Sequence, residues 1–143
     1  MLDLYRNRAS AKVANCLDWR TDTVEVEGRT LPSLFQNPPA EGMGDATFRI
    51  ELLPEPDGKR LVLRFLAAFT GPTANGARLS VLIDGAEAWS STQTTQPAEP
   101  ADVALSTWAG RTVTLTLRVD ALGDASNDWV DWVRPQVLLV DGD

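Results

Sequence analysis

From Arg111 to Val119 apolar and polar side chains alternate without a break. Val113, Leu115, Leu117 and Val119 point one way, and Thr112, Thr114, Thr116 and Arg118 point the other. A period of two in β-branched residues and leucine predicts a strand with one buried and one wet face. Ala109-Gly110 marks its start and the polar run Gly123–Asp128 its end. A second strand, Trp129 to Val133, follows that run, so the two are expected as an antiparallel pair in the core of a sheet. The same alternation recurs upstream. Ala46 to Leu53 sets Phe48, Ile50 and Leu52 against Thr47, Arg49 and Glu51. Leu61 to Phe69 is the most apolar segment, and Arg64 on its second face predicts a central strand with one side partly wet. Leu79, Val81 and Ile83 then alternate with Arg78, Ser80 and Leu82.

Turn residues join these runs. Asp84-Gly85 leads into Ala86–Trp89 and is a strong hairpin signal, because both central residues adopt positive φ. Glu27-Gly28 between Thr23–Val26 and Arg29–Leu31 predicts another hairpin. Leu31 to Gly44, with Pro32, Pro38, Pro39, Gly42 and Gly44, reads as loop. So do Gly71–Gly76 and the long polar stretch Ser90–Asp102. Gly42-Met43-Gly44 is not a dinucleotide fingerprint, since Thr47 stands in place of the third glycine and a strand follows where it should precede. At the N-terminus, Tyr5, Ala9, Val13 and Leu17 recur every four residues, as in a short helix. Ala9, Ala11 and Val13 alternate, as in a strand. A strand from about Ala9 to Asn15 is the expectation. No segment keeps a helical period over three turns, so about eight strands assemble into an all-β antiparallel sandwich.

A chain of 143 residues has room for one domain that buries roughly 68–70% of its unfolded surface without disulfides. The expected layout is one unit: a lead-in at residues 1–8, the sandwich at 9–140 and a tail at 141–143. Cys16 is the sole cysteine and histidine is absent, which excludes Ser-His-Asp and Cys-His hydrolysis and histidine-based zinc or iron sites. The net charge of −7 disfavours nucleic acid as a partner. That charge is uneven, with residues 1–20 at +2 and the rest at −9. The first twenty residues lack the apolar core of a secretory signal, and no run is long enough for membrane insertion. If the parent protein is secreted, this chain is expected to be a mature or excised piece.

An ordered set of phrases carries a resemblance. They are Asn37-Pro38-Pro39, Ala46–Pro54, Leu61–Phe65, Asn75-Gly76-Ala77-Arg78-Leu79-Ser80-Val81-Leu82-Ile83-Asp84-Gly85, Val103–Arg111, Val113–Val119 and Asp128-Trp129-Val130-Asp131-Trp132-Val133. Together they resemble the galactose-binding-like jelly roll of non-catalytic carbohydrate-binding modules in bacterial polysaccharide-processing proteins. The resemblance spans roughly residues 9–140. It implies a glycan as partner, no catalysis, an extracellular or cell-envelope setting within a larger multidomain protein, and for many relatives a structural calcium ion.

The residues themselves suggest where such a ligand would bind. A pyranose packs its C–H face on an indole while neighbouring polar groups bond its hydroxyls. Trp108 and Trp132 fit the core, and Trp19 fits either place. Trp89, opening the polar loop, and Trp129, beside Asn127 and Asp128, are the candidate platforms. Edge loops at Gly71–Gly76, Ser90–Gln96 and Asp124–Trp129 would then form the site, with Asn75, Arg78, Trp89, Asn127, Asp128 and Trp129 as contacts. Asp124 and Asn127 are the candidate calcium ligands, although the spacing is not that of an EF-hand. Two other readings stay open. One is a structural, assembly or docking domain of a bacterial surface protein, using the face of Thr112, Thr114 and Thr116. The other is a small hydrolase built on Glu25 and Glu27, the least pair that glycoside hydrolysis requires.

Overall fold

A computed structural model of the chain describes residues 2–16, 18–37, 43–69, 77–93, 100–120 and 130–142. Eleven strands are described: β1 (Leu2–Asp3), β2 (Lys12–Ala14), β3 (Asp18–Val26), β4 (Arg29–Asn37), β5 (Met43–Glu51), β6 (Lys59–Phe69), β7 (Ala77–Ile83), β8 (Ala86–Gln93), β9 (Ala101–Ala104), β10 (Thr112–Asp120) and β11 (Val130–Asp141). They form two antiparallel sheets. The first runs β3-β4-β11-β6-β9, with β1 also on β11; the second runs β2-β5-β10-β7-β8. This is the predicted β-sandwich, with more strands than the eight expected.

Both two-residue hairpins form. Glu27 and Gly28 have φ of 50° and 78°, and Asp84 and Gly85 have 51° and 82°, the positive pair that matches the twist of the flanking strands. Asp84 also accepts the Thr114 N–H at 2.8 Å, which fastens the second hairpin to β10.

Four expectations need correction. First, β10 and β11 are not partners: β10 lies between β5 and β7, and β11 lies in the other sheet. Their apolar faces meet across the core, which satisfies both without a shared ladder. Second, Leu31–Gly44 is not all loop, because β4 continues to Asn37 and β5 starts at Met43. Pro32 is tolerated there because β4 pairs with β11 only from Ser33 onward, so its missing N–H costs no bond on that side. Third, the polar stretch after Ser90 contains the end of β8 and the start of β9. Both are edge strands, which need no apolar outer face. Fourth, the Ala9–Asn15 strand is reduced to β2, preceded by a 3-10 turn at Arg8–Ser10. Asp3 closes the turn just before it, its carboxylate accepting the Tyr5 N–H at 2.9 Å and its carbonyl accepting the Asn7 side-chain amide at 2.8 Å.

The core is built around Trp132, which is fully buried. Its ring packs edge-to-face on Phe65 at 4.9 Å, and Phe65 packs likewise on Trp89 at 5.2 Å, the offset geometry that aromatic quadrupoles favour. Trp108 is half-buried against the same core. Trp19 is also half-buried and packs edge-on to Phe48 at 6.3 Å.

Among the described residues, Gln36 of β4 is a polar side chain on the inward face, with no exposed surface. Its Oε1 accepts the Trp132 indole N–H at 2.8 Å. Its Nε2 donates to the carbonyl of Gly44 on β5 at 2.9 Å and to that of Leu117 on β10 at 3.2 Å. A single amide therefore joins the first sheet to the second with its donors spent. Gln36→Leu orphans the indole N–H and removes a donor from two carbonyls, at about 1–3 kcal/mol per unpaired buried group. Urea unfolding should show a loss of at least ~2 kcal/mol. A loss under ~0.5 kcal/mol, typical of surface substitutions, would show that the link is dispensable.

Candidate functional site

The pocket that stands out lies on the outer face of the first sheet, and its origin is a break in β11. Against β6, β11 pairs Val133 with Leu66 and then Gln136 with Arg64. Arg134 and Pro135 thus oppose a single residue, which is a β-bulge. On its other side β11 changes neighbour at the same point, pairing with β4 through Val133 and with β1 from Gln136. The Leu4 N–H donates to the Pro135 carbonyl at 2.9 Å to complete the handover. The outer half of the β3–β4 hairpin, still paired to its tip at Val26 and Arg29, therefore leaves the sheet as an arm.

Between arm and sheet is a cavity of about 410 Å³, within the range of small-ligand sites. Val26, Glu27 and Leu31 come from the arm, and Arg64, Phe65 and Leu66 from β6. Val133, Arg134, Gln136 and Leu138 come from β11, and Pro100 stands just before β9. The lining is largely aliphatic, with four polar side chains at its margins. Arg64 is committed: its Nε and Nη2 donate to the two Asp102 oxygens at 2.7 and 2.8 Å. That bidentate pair holds the Asp102 carboxyl below its ordinary range. Arg134, Gln136 and Glu27 have no side-chain partner among the described residues. Arg134 is also held at a φ of 47°, a left-handed conformation that costs a non-glycine residue roughly 1–2 kcal/mol.

Further along the same face is Asp131, 7% exposed. Ser33 Oγ donates to it at 2.9 Å. Burial, and next to it the Asp22 carboxylate, push the Asp131 carboxyl up to about 7, while Ser33 and Arg20 work against the rise. Arg20 lies 4.4 Å above the Phe35 ring, which keeps a cation over this otherwise acidic spot.

Of the described residues singled out from sequence as site candidates, Glu27 alone lines this pocket. Asn75, Asn127, Asp128, Trp129 and the calcium candidate Asp124 lie outside the described residues. Arg78 and Trp89 are described, but on opposite faces of the β7–β8 ribbon. Arg78 is on the wet face, donating to Glu87 at 2.9 Å and Ser90 at 3.3 Å. Trp89 pairs with the fully buried Val81 and turns its ring to Phe65. The two share no surface. Of the proposed acid pair, Glu27 reaches the pocket and Glu25 is not in its lining. Among the described residues no group of three His, Cys, Asp or Glu could hold a metal, and no helix is long and apolar enough to cross a membrane. Sequence reasoning missed Arg134, Gln136 and Leu138. The signal was present in the apolar run Val137–Val140 beyond Pro135, a strand resuming after an interruption.

No family model and no curated protein matches the chain. Solved structures do match in fold. One is the second CBM51 module, with adjoining INT domains, of Clostridium perfringens ZmpB, in complex with GlcNAc. It has a TM-score of 0.58 and 14% identity over 90% of this chain, which spans only 29% of that one. A CBM51 module from Clostridium perfringens GH95, in complex with methyl-galactose, gives 0.54 and 18% over 90% of this chain and 92% of its own. A cyclase from Fischerella sp. TAU, in complex with 4-(1H-indol-3-yl)butan-2-one, gives 0.55 and 11% over 93% of this chain and 76% of its own. At these identities the likeness is one of fold, a β-sandwich found in carbohydrate-binding modules and in a cyclase alike.

The Asp131 geometry gives a pH dependence of defined sign. Its carboxyl titrates near 3.8 when unfolded and about 7 when folded. Between those values the folded chain binds more protons, so stability falls as pH rises from about 4 to 7 and levels off above. The slope is at most ~1.4 kcal/mol per pH unit for one proton. Asp131→Asn should flatten that window in urea titrations run from pH 4 to 8. An unchanged slope in the variant would assign the effect to other groups.

Proposed function

We propose that this domain binds a carbohydrate without transforming it, in the pocket on the outer face of the first sheet. The observation that carries the reading is three uncommitted polar side chains, Arg134, Gln136 and Glu27, set around an aliphatic floor. Binding sites for small polar ligands have this composition: apolar walls for contact and a few oriented groups for recognition. Arg134 donates to ring and hydroxyl oxygens, Glu27 accepts hydroxyl protons, and the Gln136 amide does both. The fold shared with carbohydrate-binding modules supports the reading, as does the single carboxylate in the pocket lining among the described residues. Glycoside hydrolysis needs two. The edge-loop residues Asn75, Asn127, Asp128 and Trp129, which lie outside the described residues, are the alternative contact set that the test below separates from the pocket. An extracellular or envelope protein of several modules is the setting it implies.

An assembly role for the threonine face has less support. The Thr47 and Thr116 hydroxyls already bond each other at 3.1 Å, and Arg118 is bidentate with Asp45 at 2.7 and 2.9 Å, so Thr116 and Arg118 spend their polar groups internally.

A glycan array followed by calorimetry tests the proposal. Arg134→Ala and Gln136→Ala should each weaken binding about tenfold, the loss of roughly one charged or well-made hydrogen bond. Trp89→Ala should lower the melting temperature and leave affinity within about twofold, whereas an edge-loop site would lose binding there and in Trp129→Ala. A blank array, or wild-type affinity in both pocket variants, would overturn it. Arg134→Gly offers a second sign: the relieved left-handed backbone raises the melting temperature while binding weakens.

A further inference from the structure

Among the described residues, the floor of the pocket presents no exposed aromatic ring. Leu31, Leu66, Val133 and Leu138 form it. Phe65 belongs to the lining but is 1% exposed, and its ring is spent on Trp132 and Trp89. This matters for what the pocket recognises. The broad C–H face of an unsubstituted pyranose is matched by a flat indole or phenol ring. Branched aliphatic side chains make an uneven floor, which gains dispersion contact from a compact apolar knob that fills a hollow. The rim carries little preference for net charge, because Arg64 is neutralised by Asp102 and Arg134 is offset by Glu27.

We propose that the pocket selects a sugar bearing a methyl-terminated substituent, as in an acetamido group, an O-acetyl group or a 6-deoxy carbon. The methyl sits on Leu66 and Leu138, and the polar edge of the sugar meets Arg134, Gln136 and Glu27. The inference rests on the reading of this pocket as a carbohydrate site and names the class of sugar it takes. The methyl is the shared chemistry of the three sources. An acetamido group additionally offers an N–H and a carbonyl to the Gln136 amide, which separates it from a 6-deoxy carbon.

Matched pairs of monosaccharides test it: N-acetylglucosamine with glucose, N-acetylgalactosamine with galactose, 6-O-acetylglucose with glucose, and L-fucose with L-galactose. Calorimetry should show the methyl-bearing member binding at least about fourfold tighter in one or more pairs, the effect of burying one methyl group. Saturation-transfer NMR should place the strongest signal on its methyl protons. Leu138→Asn, checked for folding by its far-ultraviolet spectrum and melt, should erase the preference by weakening the methyl-bearing member more than the unsubstituted one. Leu138→Met should retain the preference, since it keeps an apolar floor. Equal binding within every pair would overturn the inference and leave carbohydrate binding intact. Absence of binding by any sugar, alone or as an oligosaccharide, would overturn both.

Discussion

The amide of Gln36 is the contact on which the two-sheet arrangement depends. Buried polar groups are tolerated only when paired, and Gln36 meets that condition by reaching from β4 across the core to β5 and β10 while holding the indole of Trp132. A purely apolar interface would permit many sliding offsets of similar energy. Three directed bonds admit one, because a shift of a single residue turns the side chain to the other face of its sheet. The Trp89–Phe65–Trp132 series then fills the space that this offset leaves. With the interior closed in this way, recognition belongs to the outer surfaces and rims.

The strand that carries Trp132 also makes the pocket. Before the bulge β11 serves the core and the β4 ladder; after it, β11 takes β1 as neighbour. One extra residue changes the inward parity from Val130 and Trp132 to Val137 and Leu139, and it lifts Arg134 out of the sheet. The strained backbone at Arg134 and the arm that leaves the sheet are two consequences of the same irregularity. Strain kept at a binding surface is a recurrent trade of stability for function. Asp131, three residues before Arg134, adds a group that is ionised only with difficulty on the same face.

Much of this was legible in the residues. Strict alternation in β10, and Glu-Gly or Asp-Gly between alternating runs, leave few choices, and both hairpins form where those pairs stand. What could not be read was governed by neighbours. Pro32 looks like a loop residue until its place at the end of a ladder is known. Ser90–Gln93 looks like loop because an edge strand does not need the pattern of a central one. Val113–Val119 and Val130–Val133 both read as sheet strands, but which sheet each joins is decided by the packing of faces. Glu27 was legible as a turn residue and a candidate acid, yet its position beside Arg134 and Gln136 arises from the arm. Trp89, next to a polar stretch, reads as an exposed platform from sequence, but it turns inward on to Phe65.

The most direct check on this account is backbone amide NMR mapping of the isotopically labelled domain during titration with the tightest glycan from the array. The account predicts shift changes centred on Leu66, Gln136 and Leu138, with Val26 and Leu31 of the arm following the same saturation curve. Changes confined to residues 71–76, 94–99 and 121–129, with the outer face of the first sheet silent, would contradict it.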